Sequence, residues 1–290
     1  MELSVTQLNW AAGELSPKMS SRSDLPVYKN GAERIVNFFS ENTGPARFRS
    51  GFQYAQNTRR HAVAWFIPFQ FNDSDAYEME FTEGWIRFFR TNSSNSGIIT
   101  LAAKTITGAT VAGGVVSIAS ATHGYSNGDE VIINGVKGMT QLNNRSFVVT
   151  NKSNDAYDLL DSYGSALDGT AYSAYVSGGT SAKIYEIANT FTLAEIPTIK
   201  FAQNADTMYM VVRTQAPVKL VRTSSTSWAI GTFSRTSDPF GAGTLGNWPG
   251  AVAFYQGRLY YGGTNDYPQS IWGSRALDAN GNPQYDKKTS

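Results

Sequence analysis

The chain has 290 residues, 24 Lys and Arg against 23 Asp and Glu, and no cysteine. A net charge of +1 with 16% charged residues argues against a dedicated nucleic-acid or membrane-surface binder. The missing cysteines exclude disulfides, thiolate nucleophiles and Cys-based metal centres, and two histidines are too few for a His-rich metal site.

The opening residues, MELSVTQLNW, lack a basic start followed by an apolar stretch, so no signal peptide is expected. No apolar run approaches the roughly 18 residues of a membrane helix, so no membrane anchoring is expected. Aromatics at 13%, 27 glycines and abundant Thr, Ser and Asn predict a mostly β, soluble protein with many tight turns. Residues 1–60 carry eight Lys/Arg against five Asp/Glu and read as an irregular arm. One short helix is predicted there, opened by Leu25-Pro26 and running through VYKNGAERIVNFF, with Tyr28, Ile35, Val36 and Phe39 near helical spacing. Arg47, Arg49, Arg59 and Arg60 then make a basic cluster, which suits an assembly contact or a solvated patch better than a phosphate backbone.

From residue 61 to 104 the pattern is strand-like: AWFIPFQF, a turn at Asn72-Asp73-Ser74-Asp75, AYEMEF, a turn at Glu83-Gly84, then WIRFFR, closed by TNSSNSG. Similar units recur within 186–290, at 198–222 and 251–275. Phe201 matches Phe254, and Gln203 matches Gln256. With residues 105–184 taken as an insertion, the repeat is 52–53 residues. That period and its short antiparallel strands predict propeller-like β blades, incomplete in this chain. QYDKKTS at the end shows no closing strand, which points to the N-terminal portion of a longer protein or to completion by another subunit. Residues 105–185 read as a separate small β-barrel or sandwich module, with strands VVSIAS, EVIING, SFVVTN and YDLLD. A surface loop tolerates such an insertion because closure entropy rises slowly with loop length.

The candidates for chemistry are weak. His123, Ser126 and Asp129 share one Gly-rich turn, whereas a catalytic triad is normally assembled from distant elements; a turn held by Asn and Asp side chains is the better reading. Asp73, Asp75, Glu78, Glu80 and Glu83 lack the spacing of a Ca²⁺ loop and read as solvated strand carboxylates. Gly135, Gly138, Gly241, Gly243 and Gly246 form neither a P-loop nor a dinucleotide fingerprint and read as turns. Trp228, Trp248 and Trp272 would fill the space between sheets or, if exposed, stack on sugars. No catalytic residue, metal or cofactor is assigned.

Asn9-Trp10, Gly13-Glu14-Leu15-Ser16-Pro17, Arg22-Ser23-Asp24, Tyr28, Asn37-Phe38 and Arg47-Phe48-Arg49-Ser50-Gly51 form an ordered set. Ile67-Pro68-Phe69-Gln70-Phe71, Phe201-Ala202-Gln203 and Gln256-Gly257-Arg258-Leu259 continue it. The set resembles the N-terminal portion of the tail-nozzle or tail tubular protein B-like structural proteins of short-tailed bacteriophages (podoviruses). Ser21 and Ser50 depart from the family's glycine and basic residue. Residues 110–185 separately resemble the FCCH-type β module, through His123-Gly124-Tyr125-Ser126-Asn127-Gly128-Asp129 and Gly138-Met139 with Leu142-Asn143. Ubiquitin chemistry does not come with that likeness, since the chain has no cysteine.

The resemblance implies a non-enzymatic virion tail protein, assembled in the bacterial cytoplasm. It would form a ring, typically a hexamer, attached to the adapter of the head–tail connector, with a tail fibre or spike as a further partner. Genomic DNA would pass through the ring on ejection. Trp10, Leu15, Pro17, Arg22, Asp24, Tyr28, Arg47 and Arg49 are the expected assembly contacts. A tail-associated carbohydrate- or receptor-binding module is the alternative.

Overall fold

Short antiparallel strands dominate the computed structural model, which describes residues 7, 9–52, 54–91, 97–233, 240, 247–277 and 283–288. The chain divides into two units, 1–54 and 55–290. In the first, β1 (Gly13–Glu14) pairs in parallel with β2 (Gly31–Ala32), and β3 (Phe38–Ser40) pairs antiparallel with β4 (Ala46–Phe48). Two 3-10 turns, Pro17–Met19 and Pro26–Asn30, lie between β1 and β2. Each opens on a proline, whose fixed φ and missing N–H suit a first helical position.

The helix expected through residue 39 is therefore only the five-residue turn Pro26–Asn30. Gly31 follows it in extended backbone, and Asn37 adopts a left-handed φ of 64° that redirects the chain into β3. The apolar residues at helical spacing share no buried face, since Val36 and Phe39 are both exposed.

In the second unit, β5 (Trp65–Asn72), β6 (Asp75–Thr82) and β7 (Trp85–Thr91) form a meander. β5 is an edge strand, paired only with β6, so the missing N–H of Pro68 breaks no ladder. β8 (Gly97–Ile98) and β16 (Glu186–Ala188) both add to the free side of β7, the second arriving from beyond the insertion. The second sheet is β17 (Lys200–Asn204), β18 (Thr207–Val212), β19 (Gln215–Ser224) and β20 (Ser227–Thr232) in sequential order. The third is β21 (Ala251–Tyr255), β22 (Arg258–Gly262), β23 (Ile271–Leu277) and β24 (Pro283–Lys288). Residues of QYDKKTS thus lie in a paired strand, contrary to the sequence reading. Each unit has a fourth strand that the three-strand pattern omitted. Gly241, Gly243, Gly246 and most of the TNSSNSG stretch fall outside the described residues.

The second sheet is the middle layer. Met208, Met210 and Val212 of β18 enter one apolar cluster with Phe69, Tyr77, Met79 and Phe88 of the first sheet. Tyr209 and Val211, on its other face, enter a second cluster with Leu259, Tyr261 and Trp272 of the third sheet. Burial on both faces is why Met208–Val212 reads as a continuous apolar run rather than an alternation. Trp228 is the centre of the first cluster, with its ring 4.4 Å from Phe88, 4.7 Å from Phe69 and 5.3 Å from Tyr77. Burying such a ring removes about 200 Å² from water, worth roughly 5 kcal/mol.

The two-residue turns Asp73-Ser74, Ala205-Asp206 and Gln256-Gly257 mark equivalent points in the three sheets. The last two lie 51 residues apart. Phe201 therefore corresponds to Val252, and Phe254 to Gln203, two residues off the sequence alignment. A two-residue shift keeps each side chain on its face, so the periodicity survived a misplaced register.

Residues 104–183 form a seven-stranded antiparallel sheet with its own apolar cluster, including Val116, Ile118, Val131, Phe147 and Tyr157. Its strands are β9 (Lys104–Thr105), β10 (Gly108–Ala112), β11 (Val115–Ala119), β12 (Glu130–Asn134), β13 (Arg145–Thr150), β14 (Ala156–Leu160) and β15 (Thr180–Lys183). The order β10-β11-β14-β13-β12-β15-β9 is open, so the barrel alternative is not realised. β10 and β11 are joined by Gly113-Gly114 at φ 57° and 85°, the left-handed pair that a tight hairpin of matching twist requires.

Candidate functional site

The expected assembly residues lie in the 1–54 unit. The Trp10 N–H donates to the Gly44 carbonyl at 2.7 Å, and the indole lines an apolar groove with Arg34, Ile35, Val36, Phe38 and Ala46. Leu15, Pro17 and Tyr28 line a second groove of about 540 Å³ with Gly31 and Glu33. The Tyr28 hydroxyl donates to the Ser20 carbonyl at 3.1 Å. Arg22 and Asp24 form a bidentate surface pair, both bonds 2.9 Å. Arg47 meets Glu41 at 2.7 Å, and Arg49 donates to Asn37 at 2.8 Å while its guanidinium covers the Phe52 ring. Gly44 is the one buried residue among those described here. Phe39, Phe48 and Phe52 are 64%, 75% and 87% exposed. Among its described residues this unit has local order and an apolar surface, but no buried core.

The four arginines of the basic cluster divide between the two units. Arg59 and Arg60 belong to the second and are engaged within it. The Arg59 guanidinium grips Glu186 with bonds of 3.0 and 3.3 Å and lies 4.2 Å over Trp85, while the Arg59 backbone N–H donates to Glu80 at 2.7 Å. Arg87 of β7 donates to Glu186 at 3.1 Å and to Glu130 of β12 at 2.6 Å. The side chains of Arg87 and Glu130 are 1% and 2% exposed. This network joins the first sheet to the 104–183 module. It also corrects the reading of Glu80 as a solvated carboxylate, because the module and Arg59 cover that face of β6. Burial pushes the Glu80 carboxyl above its ordinary range, against the opposing pull of the Arg59 N–H and the Arg87 charge.

A second network joins the first and second sheets. Asp75 meets Arg90 at 2.6 Å and Arg222 at 3.0 Å, and accepts the Tyr77 hydroxyl at 3.0 Å. Burial opposes the charge on Asp75, but these hydrogen bonds and the two guanidiniums outweigh it and hold the carboxyl below its ordinary range. Arg222 also lies 4.1 Å over Phe71. No local sequence signal links residue 75 with residue 222, since the partners are strand neighbours of different sheets.

His123 is buried, with Nδ1 accepting the Tyr125 N–H at 3.0 Å and Nε2 3.0 Å from the Ser153 carbonyl, an arrangement of the neutral Nε2–H tautomer. The Ser126 N–H donates to Asp129 at 2.8 Å, and Asp129 pairs with Lys183 at 2.7 Å. The three residues make a structural turn and no relay. Sequence reasoning passed over His61, whose Nε2 lies 2.8 Å from Ser162 Oγ while its ring stacks on Tyr163 at 3.6 Å. Nothing in the spacing of residues 61 and 162 advertises that pair. Among the described residues no group of three or more His, Asp and Glu is disposed to hold a metal ion. Trp228 and Trp272 are buried, as the inter-sheet reading expected, and Trp248 packs against the second cluster. No helix among the described residues is long and apolar enough to cross a membrane.

Residues 111–184 match the family of the ubiquitin-activating enzyme E1 FCCH domain. The match covers most of the seven-stranded sheet and a minor part of the chain. No curated protein matches the chain.

Proposed function

We propose that the chain is a non-catalytic structural subunit of a short-tailed bacteriophage tail, of the tail-nozzle or tail tubular protein B-like group. The observation that carries this reading is the face-to-face stack of three antiparallel sheets at a spacing of about 50 residues, interrupted by the FCCH-like module. We read these sheets as successive propeller blades. The 1–54 unit, with its exposed phenylalanines and grooves at Trp10, Leu15, Pro17 and Tyr28, supports an assembly role. Contacts of this kind that close head-to-tail generate a ring. On this reading the partners are further copies of the chain, the adapter, a fibre or spike, and genomic DNA in transit, and the protein resides in the virion tail. The sugar-binding alternative loses Trp228 and Trp272, whose rings are buried and cannot stack on a ligand.

Immunogold electron microscopy of virions from the source lysate, with antibody against this chain, tests the reading. Label just below the head–tail junction is expected. Label confined to fibre tips would favour receptor binding, and unlabelled virions beside a working control antibody would refute the structural role.

A further inference from the structure

The 104–183 module is held to the first sheet in two different ways. One is the pair of chain crossings that lead into and out of it. They run side by side as a narrow ribbon, with Leu101 N–H donating to Lys183 and Tyr185 N–H donating to Ile99, both at 2.8 Å. A two-stranded ribbon is a hinge: it fixes position while leaving rotation about its axis soft. The Arg87–Glu130 pair sits beside this axis, since the Glu130 carbonyl accepts the ribbon's Ile184 N–H at 2.8 Å.

The other attachment is made by three consecutive residues, the first holding Glu186 next to the ribbon and the other two reaching the module at Gly128 and at Ser162 and Gly164. Arg59 faces the sheet, gripping Glu186, Glu80 and Trp85. Arg60 faces the module, donating to the Gly128 carbonyl at 3.1 Å and packing so closely on Gly164 that a Cβ there would fall 2.6 Å from its Nη1. His61 faces the module too, through Ser162 and the stacked Tyr163. Reaching both sides within three residues requires φ of 51° at Arg60 and 56° at His61, left-handed backbone at two non-glycine positions in succession. Such backbone persists only where the surroundings enforce it, and it concentrates at clamps and switches.

We propose that Arg59–His61 is a strained strap that sets the angle of the inserted module on the first sheet, and that its withdrawal leaves the module free to swing on the Ile99–Leu101/Lys183–Tyr185 ribbon. The strap follows closely on the 1–54 unit in the chain, so a partner that draws on that unit acts on the strap first. The inference holds whether or not the protein belongs to a phage tail.

The cysteine-free chain allows a direct test. Nitroxides placed at Thr110→Cys on the module and Tyr255→Cys on the third sheet report the module's angle as an electron–electron distance distribution. The full chain should give one narrow distribution. Arg60→Gly with His61→Gly removes the strap's module contacts and relieves its backbone. The distribution should then widen roughly twofold or more, as hinge motion returns. Amide exchange across β12 and β13 should stay as slow as in the parent, showing the module still folded. If the double variant loses that protection, Arg60→Gly alone is read by the same criterion. A distribution as narrow as the parent's in a variant with a folded module would overturn the proposal, as would a broad distribution in the parent.

Discussion

Replacing Arg87 by Met should be among the most damaging single changes in the chain. Arg87 is 1% exposed and neutralises Glu130 at 2.6 Å and Glu186 at 3.1 Å. Each contact is worth about 4 kcal/mol gross at an effective dielectric near 20, most of it offset by the desolvation of both partners. Deletion of one partner is not offset in this way. Glu186 keeps the bidentate grip of Arg59, but Glu130 is left buried without its cation. That places the loss at about 3–5 kcal/mol, or roughly 10 °C in Tm for a chain of this size. Urea unfolding followed by tryptophan fluorescence measures it. Adding Glu130→Leu to Arg87→Met should restore about 2 kcal/mol, because the orphaned charge is then gone. An Arg87→Met loss under about 1 kcal/mol, or a double variant as unstable as the sum of the singles, would refute the argument.

Asp75→Asn should cost about 2–4 kcal/mol at pH 7, since one carboxylate serves Arg90, Arg222 and Tyr77. The lowered carboxyl of Asp75 contributes stability above its unfolded value of about 4 and loses it as pH falls through the lower folded value. The variant's acid limb, measured by urea melts from pH 7 to 2.5, should accordingly be flatter than the parent's. Trp228→Ala should lose about 3–5 kcal/mol by calorimetry, while Trp65→Ala, at 42% exposed, should lose under about 1. Gly138→Ala should unfold the module far more readily than Gly113→Ala. Both have left-handed φ, but a Cβ at 138 would fall 2.2 Å from the Ala174 carbonyl oxygen, whereas none of the neighbouring atoms comes within 4 Å at 113. Thermal melts of the two variants, differing by more than about 2 kcal/mol, would show the difference.

The strands most legible in the sequence were apolar stretches bounded by turn residues. Asp75–Thr82 was marked by alternation, Trp65–Asn72 and Arg145–Thr150 by apolar runs. What failed was what depends on distant partners. β16 and β24 carry little apolar pattern of their own and exist because a neighbour's open edge receives them. Glu80 looked solvated because its cover, Arg59 and the module, is remote in sequence. In residues 26–39, helical spacing occurred without a surface to bury it against, and Gly31 and Asn37 prevailed over the periodicity. The stabilising charge networks at Arg87 and Asp75 were invisible for the same reason, whereas the turn role of His123 was readable from its own neighbours.

The insertion also constrains the order in which the chain can fold. The first sheet draws β16 from the far side of the module, so it cannot be completed until all of the 104–183 segment has been made. Left unfolded, that segment is a loop of 80 residues to be closed. Once folded, β9 and β15 are hydrogen-bonded neighbours, and the gap between β7 and β16 shrinks to about 14 residues. By the logarithmic cost of loop closure, that saves about 1.7 kcal/mol when β16 joins. The module should therefore fold first and template its host, with pulse-labelled amides of β12 and β13 protected before that of Glu186; the reverse order would contradict it. Seen this way, the guest domain serves as a scaffold that brings two distant stretches of the host together.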